Sequence, residues 1–222
     1  LFAPNAKIVM VDISSDEIKK PTLHVSRPIV MDAKAFIDQL LEQSERFVRT
    51  AQQEQWLCRC QQWKKKYPVI LPEYRNVRVG INSYYFIERL AHHIHDDAII
   101  VTDVGTAFVG TMQSMPMTGK QRLFHTSGIA PMGSGLPGAI GASFAAHGRQ
   151  VVCLCGDGGI MFNLQELQTI VHHRLPIKIF VLCNNGYMTM QHTQTNHFKR
   201  ESVSSLVSGV SVPNFCEVAR AF

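Results

Sequence analysis

Gly156-Asp157-Gly158-Gly159 and Asn184-Asn185-Gly186 are the clusters of this chain whose residue types could do chemistry together. One carboxylate, one side-chain amide oxygen and the carbonyls of a glycine turn are hard oxygen donors. Such a set suits Mg²⁺ or Ca²⁺ and not Zn²⁺. Mg²⁺ wants octahedral geometry and usually takes part of its shell from phosphate. The glycines beside Asp157 leave bare N–H groups at a helix start, where an anion is stabilised. The residues therefore imply a divalent cation bridging protein to a diphosphate. Either Asn184 or Asn185 could give the amide oxygen, because an Asn pair also suits a turn.

The elements that position these residues follow from the pattern around them. Gln150 to Cys155 is apolar and reads as a buried strand running into Asp157; Ile177 to Cys183 reads as a second strand running into Asn184. Between them Leu164, Leu167, Ile170 and Val171 have helical spacing over Leu164 to His172. A βαβ unit has parallel strands that end on one edge of the sheet. Asp157 and Asn184, 27 positions apart, should thus meet at the carboxyl edge, where open α/β sheets bind ligands. Upstream, Ala98 to Thr102 and Arg122 to Phe124 read as strands, and Ser83 to Ile94 as an amphipathic helix through Phe86, Ile87, Leu90 and Ala91. Pro137 opens a small-residue helix, and Pro213 to Phe222 reads as another. The fold class expected is α/β, an open parallel sheet with helices on both faces.

The N-terminal part reads differently. Ala6 to Ile13 is a strand ending at Asp12, and Asp32 caps a helix with Phe36, Ile37, Leu40 and Leu41 on one face. Glu42 to Lys66 is polar and helix-favouring, a connector whose Trp56 and Trp63 should pack on a neighbour. The organisation expected is residues 1–30, a connector over 31–77, and the main domain over 78–222. Phe222 falls in mid-pattern, so the chain is expected to be a piece of a longer polypeptide.

Composition narrows the function. Among 222 residues 45% are apolar and 18% charged, which supports a core and not disorder. The net charge of +5 is mild, and Lys64-Lys65-Lys66 reads as a solvated helix end, so no nucleic-acid partner is expected. No apolar run approaches the ~20 residues that cross a bilayer, and no signal peptide is visible. The six cysteines lack zinc-site spacing. Cys153, Cys155 and Cys183 should be buried and reduced, as in a cytoplasmic protein.

Gly-Asp-Gly followed by about two dozen residues and Asn-Asn resembles the diphosphate-binding motif of thiamine diphosphate enzymes. Met161 to Ile170 (MFNLQELQTI) and Met132 to Ala142 (MGSGLPGAIGA) are similar to the large subunit of acetolactate synthase and its relatives. The resemblance covers roughly 78–222, and residues 1 to about 20 resemble the end of that family's central domain. It implies the C-terminal, diphosphate-binding domain of a lyase or transferase acting on 2-oxo acids by decarboxylation or carboligation. It implies Mg²⁺ held by Asp157, Asn184 and the Gly186 carbonyl, with Cys183 at the family's first Asn and Asn185 as a turn residue. Gly105, Thr106, Gly156, Gly158, Gly159, Tyr187 and Met188 are implied to contact thiamine diphosphate. Met132 is implied to wedge under the cofactor, and the Ala130 carbonyl to meet its aminopyrimidine. In the family a Glu from the N-terminal domain of a partner subunit activates the cofactor, so a homodimer or homotetramer is implied. No Glu of this chain takes that role; Glu166 reads as structural, and His125 could face the site.

Gly133-Ser134-Gly135-Leu136-Pro137-Gly138 is also a literal G-x-G-x-x-G, with Asp157 about 20 residues later. A dinucleotide fingerprint must leave a strand directly, whereas Gly128 to Pro131 precedes this one. A nicotinamide oxidoreductase is therefore a weak alternative; a non-catalytic binding module is the other. Val104-Gly105-Thr106-Ala107 lacks the Gln-His of acetolactate synthases, and Gly159 replaces a frequent Ser, so the resemblance is to the broad family.

Overall fold

The computed structural model describes residues 4–222, so the first three residues of the 1–30 segment lie outside it. The chain divides into a unit ending at Tyr67 and a second unit, Pro68–Phe222.

The first unit contains β1 (Val9–Asp12), α1 (Ser15–Ile18), β2 (Arg27–Val30), α2 (Ala33–Glu42) and α3 (Ala51–Lys66). β1 and β2 pair in parallel, Val9 opposite Arg27. Asp32 caps α2 as expected, accepting from the N–H groups of Lys34 and Ala35. The helical connector is broken before α3, which begins at a capping box between Thr50 and Gln53. Trp56 and Trp63, expected on a neighbour, stack edge to face on each other at 5.6 Å. Ile37, Leu40 and Leu41 on α2 are exposed within this unit.

The second unit has α4 (Ser83–Ala91), β3 (Ile99–Thr102), α5 (Thr106–Ser114), β4 (Arg122–Phe124) and α6 (Gly135–Ala145). It continues with β5 (Val151–Gly156), α7 (Asp157–Ile160), α8 (Leu167–His172), β6 (Ile177–Leu182), α9 (Met188–Thr193) and α10 (Phe215–Ala221). The expected crossover helix is a 3₁₀ turn, Leu164–Glu166, followed by α8. The sheet order is β4-β3-β5-β6, and every neighbouring pair is parallel.

Side-chain alternation along β5 builds a core on each face of this sheet. Val152 and Leu154 join Ile100 of β3, Ile87, Leu90 and Ala107 from α4 and α5, and Met115 just after α5. Val151, Cys153 and Cys155 join Val101 and Leu136, Ala139 and Ile160 from α6 and α7. Ile87, Ile100 and Leu154 are fully buried, each contributing about 1.5–3 kcal/mol by leaving water. The packed faces hold the strand ends, and with them the functional loops, at fixed spacing. Among the described residues no helix is long and apolar enough to cross a membrane.

All six cysteines are free. The Cys153 and Cys155 sulfurs lie 3.3 Å apart in the core. Their hydrogen bond, with burial, pushes the Cys155 thiol far up, so it stays protonated and inert. Cys183 corrects the expectation of burial: β6 stops at Leu182, and Cys183 is exposed in the loop beyond it.

Candidate functional site

β5 and β6 deliver their loops to one edge, with Gly156 paired opposite Leu182. Asp157 is 1% exposed at the start of α7. Its Oδ2 accepts the N–H groups of Asn184 at 2.8 Å, Asn185 at 2.7 Å and Gly186 at 3.3 Å. Its Oδ1 accepts the Gly158 N–H at 2.7 Å. Three consecutive amides thus converge on one carboxylate oxygen, an anion nest filled from within the protein. Bonds of this type to a charged acceptor are the strong ones.

Asn184 Oδ1 is buried and has no hydrogen-bond partner among the described residues. An unpaired buried acceptor costs about 1–3 kcal/mol, a penalty that a bound cation would remove. Asn185 has a φ of 61°, the left-handed conformation of a turn residue. The two asparagines therefore differ in kind: Asn184 offers a free ligand atom and Asn185 turns the chain. Among the described residues no group of three or more His, Cys, Asp or Glu could hold a metal. One carboxylate, one amide oxygen and a nearby glycine carbonyl remain, a donor set that fits Mg²⁺ completed by phosphate and water.

Nine of the residues singled out from sequence line one cavity of about 120 Å³. Gly105 and Thr106 come from the β3–α5 turn, Met132 from the glycine-rich loop, and Gly156, Gly158 and Gly159 from the end of β5. Gly186, Tyr187 and Met188 come from the loop into α9. Val104, Thr189 and Met190 also line it, which sequence reasoning missed. A larger space of about 790 Å³ adjoins it, sharing Thr106, Met188 and Thr189, and Asn184 lines that side. Asp157 is buried and lines neither. Ala130 is exposed and lines neither, and it holds a φ of 54°, where glycine is at ease and alanine is not. His125 packs on Phe108 at 4.8 Å and lines neither cavity. Glu166 accepts the Thr169 hydroxyl at 2.8 Å, a local structural bond.

Asp103, at the end of β3, is a residue that sequence reasoning missed. It is 1% exposed; its Oδ1 accepts the Val104 N–H at 2.9 Å, and both its oxygens face the Gly133 N–H at 3.1 Å. Burial raises its carboxyl above the usual range, and the backbone N–H bonds oppose that rise. A Cβ on Gly159 would collide with this carboxylate, so only glycine permits the approach. The available signal was its place: Asp103 ends a strand as Asp157 does.

Residues 103–222 match the family model described as thiamine pyrophosphate enzyme, C-terminal TPP binding domain. The chain is 32% identical over 221 residues to the acetolactate synthase isozyme 1 large subunit of Escherichia coli (strain K12), covering 100% of the chain and 38% of that protein. It is 31% identical over 222 residues to the acetolactate synthase large subunit of Parasynechococcus marenigrum (strain WH8102), covering 100% of the chain and 35% of that protein. The chain thus spans well under half the length of the curated relatives it matches. In fold it is similar to a Rhodococcus jostii RHA1 thiamine diphosphate-dependent 4-hydroxybenzoylformate decarboxylase, with a TM-score of 0.73 and 19% identity over 98% of this chain and 38% of that one. The parallel sheet, the glycine-bounded aspartate with its asparagine loop, and the match from Asp103 onward together place this chain in the thiamine pyrophosphate enzyme family, whose C-terminal cofactor-binding domain it carries.

Proposed function

We propose that this chain provides the Mg²⁺- and diphosphate-holding part of an acetolactate synthase-like enzyme that decarboxylates or joins 2-oxo acids. The observation that carries the reading is Asn184 Oδ1, buried and unpartnered among the described residues, beside the fully buried Asp157. Asp157, Asn184 Oδ1 and the Gly186 carbonyl would hold the cation. The Gly156–Gly159 turn would face the diphosphate, and Met132 would support the cofactor's rings from the opposite loop. Gly105, Thr106, Tyr187 and Met188 would close the walls, and the Ala130 carbonyl would meet the aminopyrimidine. When bound, thiamine diphosphate supplies the electron sink for breaking or making the bond next to the carbonyl. The chain's own contribution is to orient that cofactor and to hold its charge in a site walled by glycine backbone and methionine.

No Glu among the described residues lines either cavity. In keeping with the family resemblance, the activating carboxylate would come from a partner subunit, in a cytoplasmic homodimer or homotetramer with no nucleic-acid or membrane partner. Loss of the strand-to-loop geometry required by a dinucleotide fingerprint argues against a nicotinamide site: β4 ends at Phe124, and α6 begins only at Gly135.

Titration calorimetry on the protein at its natural length tests the proposal. Thiamine diphosphate affinity should depend on Mg²⁺, and Asp157→Ala should abolish that dependence. Asn184→Ala should weaken binding at least about tenfold, the scale of losses around metal sites, and more than Asn185→Ala does. Unchanged Mg²⁺-dependent affinity in Asp157→Ala would sink the metal assignment; the reverse order of the asparagines would move the ligand by one residue.

A further inference from the structure

Met132 reaches the cavity from a loop, and a loop holds a side chain only as firmly as its own backbone is held. The residue after it is gripped from two sides. The Gly133 N–H, which belongs to the peptide joining Met132 to Gly133, points at both oxygens of Asp103 at 3.1 Å. The Gly133 carbonyl accepts from Asn163 Nδ2 at 2.8 Å. Gly133 is buried with a φ of 85°, a conformation that side chains resist. A Cβ there would also meet Phe162 Cβ at 2.6 Å and Asn163 Nδ2 at 3.0 Å. Asp103 is itself fixed by the Val104 N–H, and the Ser134 hydroxyl lies 3.5 Å from its Oδ1. Three separate segments therefore meet at this glycine: the end of β3, the glycine-rich loop, and the turn after α7.

We propose that Asp103 and Asn163 are positioning residues that clamp Gly133 and so set the height of Met132 against the bound cofactor. The inference rests on the reading of this cavity as a thiamine diphosphate site. Neither residue lines the cavity; each reaches it through Gly133. Asp103 offers only acceptors at the N–H, and Asn163 offers a donor at the carbonyl. Removing either partner leaves a buried group without its bond or sets like groups face to face. Asp103→Leu removes both acceptor oxygens and leaves the Gly133 N–H unpaired, and Asn163→Asp sets a carboxylate against a carbonyl. The clamp acts on the ring end of the ligand, whereas the cation and diphosphate are held by Asp157 and Asn184.

That division gives the test. On the protein at its natural length, Mg²⁺-dependent affinities are measured for two probes, thiamine diphosphate and inorganic pyrophosphate. Asp103→Leu and Asn163→Asp should each weaken thiamine diphosphate about tenfold or more, as expected for a buried polar group left unpaired, and leave pyrophosphate within about twofold. The double variant should lose less than the product of the single losses, because both act through one glycine. Asn163 is only half-buried, so its variant keeps the test open should Asp103→Leu fail to fold. Parallel losses for both probes, or no loss for either, would overturn the clamp alone. Wild-type protein that binds neither probe with Mg²⁺ would overturn the reading of the site, and the clamp with it.

Discussion

Asp103 and Asp157 are both buried at the ends of adjacent strands, β3 and β5, yet they face different tasks. Asp157 is surrounded by four amide donors and is the carboxylate proposed to face a cation. Asp103 is held by fewer donors, and burial raises its carboxyl above the ordinary value of 3.8. A raised folded-state value means that the folded protein holds this proton more tightly than the unfolded chain does. Its contribution to stability is fully present below pH 3.8 and is lost as pH rises through the raised value. Asp103→Asn cannot titrate and should lack that slope. Chemical denaturation of wild type and variant across the acid range should show their stability difference shifting toward the variant as pH rises above 3.8, then levelling off. A difference that stays flat from acid to neutral pH would show that Asp103 has the same proton affinity folded and unfolded.

At the scale of elements, β3 carries an avoidable defect. Thr102 Oγ1 is buried without a hydrogen-bond partner among the described residues, in a strand whose other side chains are apolar. Valine has the same shape without the hydroxyl, so Thr102→Val should stabilise the second unit by about 1 kcal/mol, read as a higher melting temperature; a lower one would mean that the hydroxyl has a partner in solution. The strands themselves were legible in the sequence because burial leaves a local mark: Val151 to Cys155 is an unbroken apolar run, Ile177 to Leu182 is apolar but for Lys178, and both lead into turn residues. The meeting of Asp157 with Asn184 was legible for the same reason, since parallel strands must end together. The role of Asp103 was not, because its partner Gly133 lies 30 residues away and the bond depends on the β3–β5 register and on how the glycine-rich loop returns. A lone strand-end Asp reads as an ordinary cap. Cys183 was misread because one residue decides whether a side chain belongs to a strand or to the loop after it. The positive φ of Ala130 leaves no mark in the sequence, because it is imposed by the turn the glycine-rich loop makes and not by the residue type.

For the molecule as a whole, the proposed function makes the site a distributed one. This chain would bring the floor, the cation ligands and one rigid wall, and no Glu among the described residues lines its cavities. Val79 and Ile81, with exposures of 93% and 75%, also leave apolar area open in the second unit, an arrangement that favours association. The 222-residue chain by itself should therefore turn over pyruvate no faster than free thiamine diphosphate with Mg²⁺. Carbon dioxide release above that background, abolished by Asp157→Ala, would show that it carries its own activating base. If Asp157 and Asn184 hold Mg²⁺ as proposed, the nest around Asp157 also governs how the protein behaves without it. The asparagine loop is folded onto a carboxylate that belongs to the chain and is present whether or not an ion is. A chelator would therefore withdraw the ion and leave its mould standing. Reloading then waits on the slow shedding of water by Mg²⁺ and not on any rebuilding of the loop, so Mg²⁺-dependent thiamine diphosphate binding lost to a chelator should return in full when the ion is restored, read by calorimetry on the protein at its natural length.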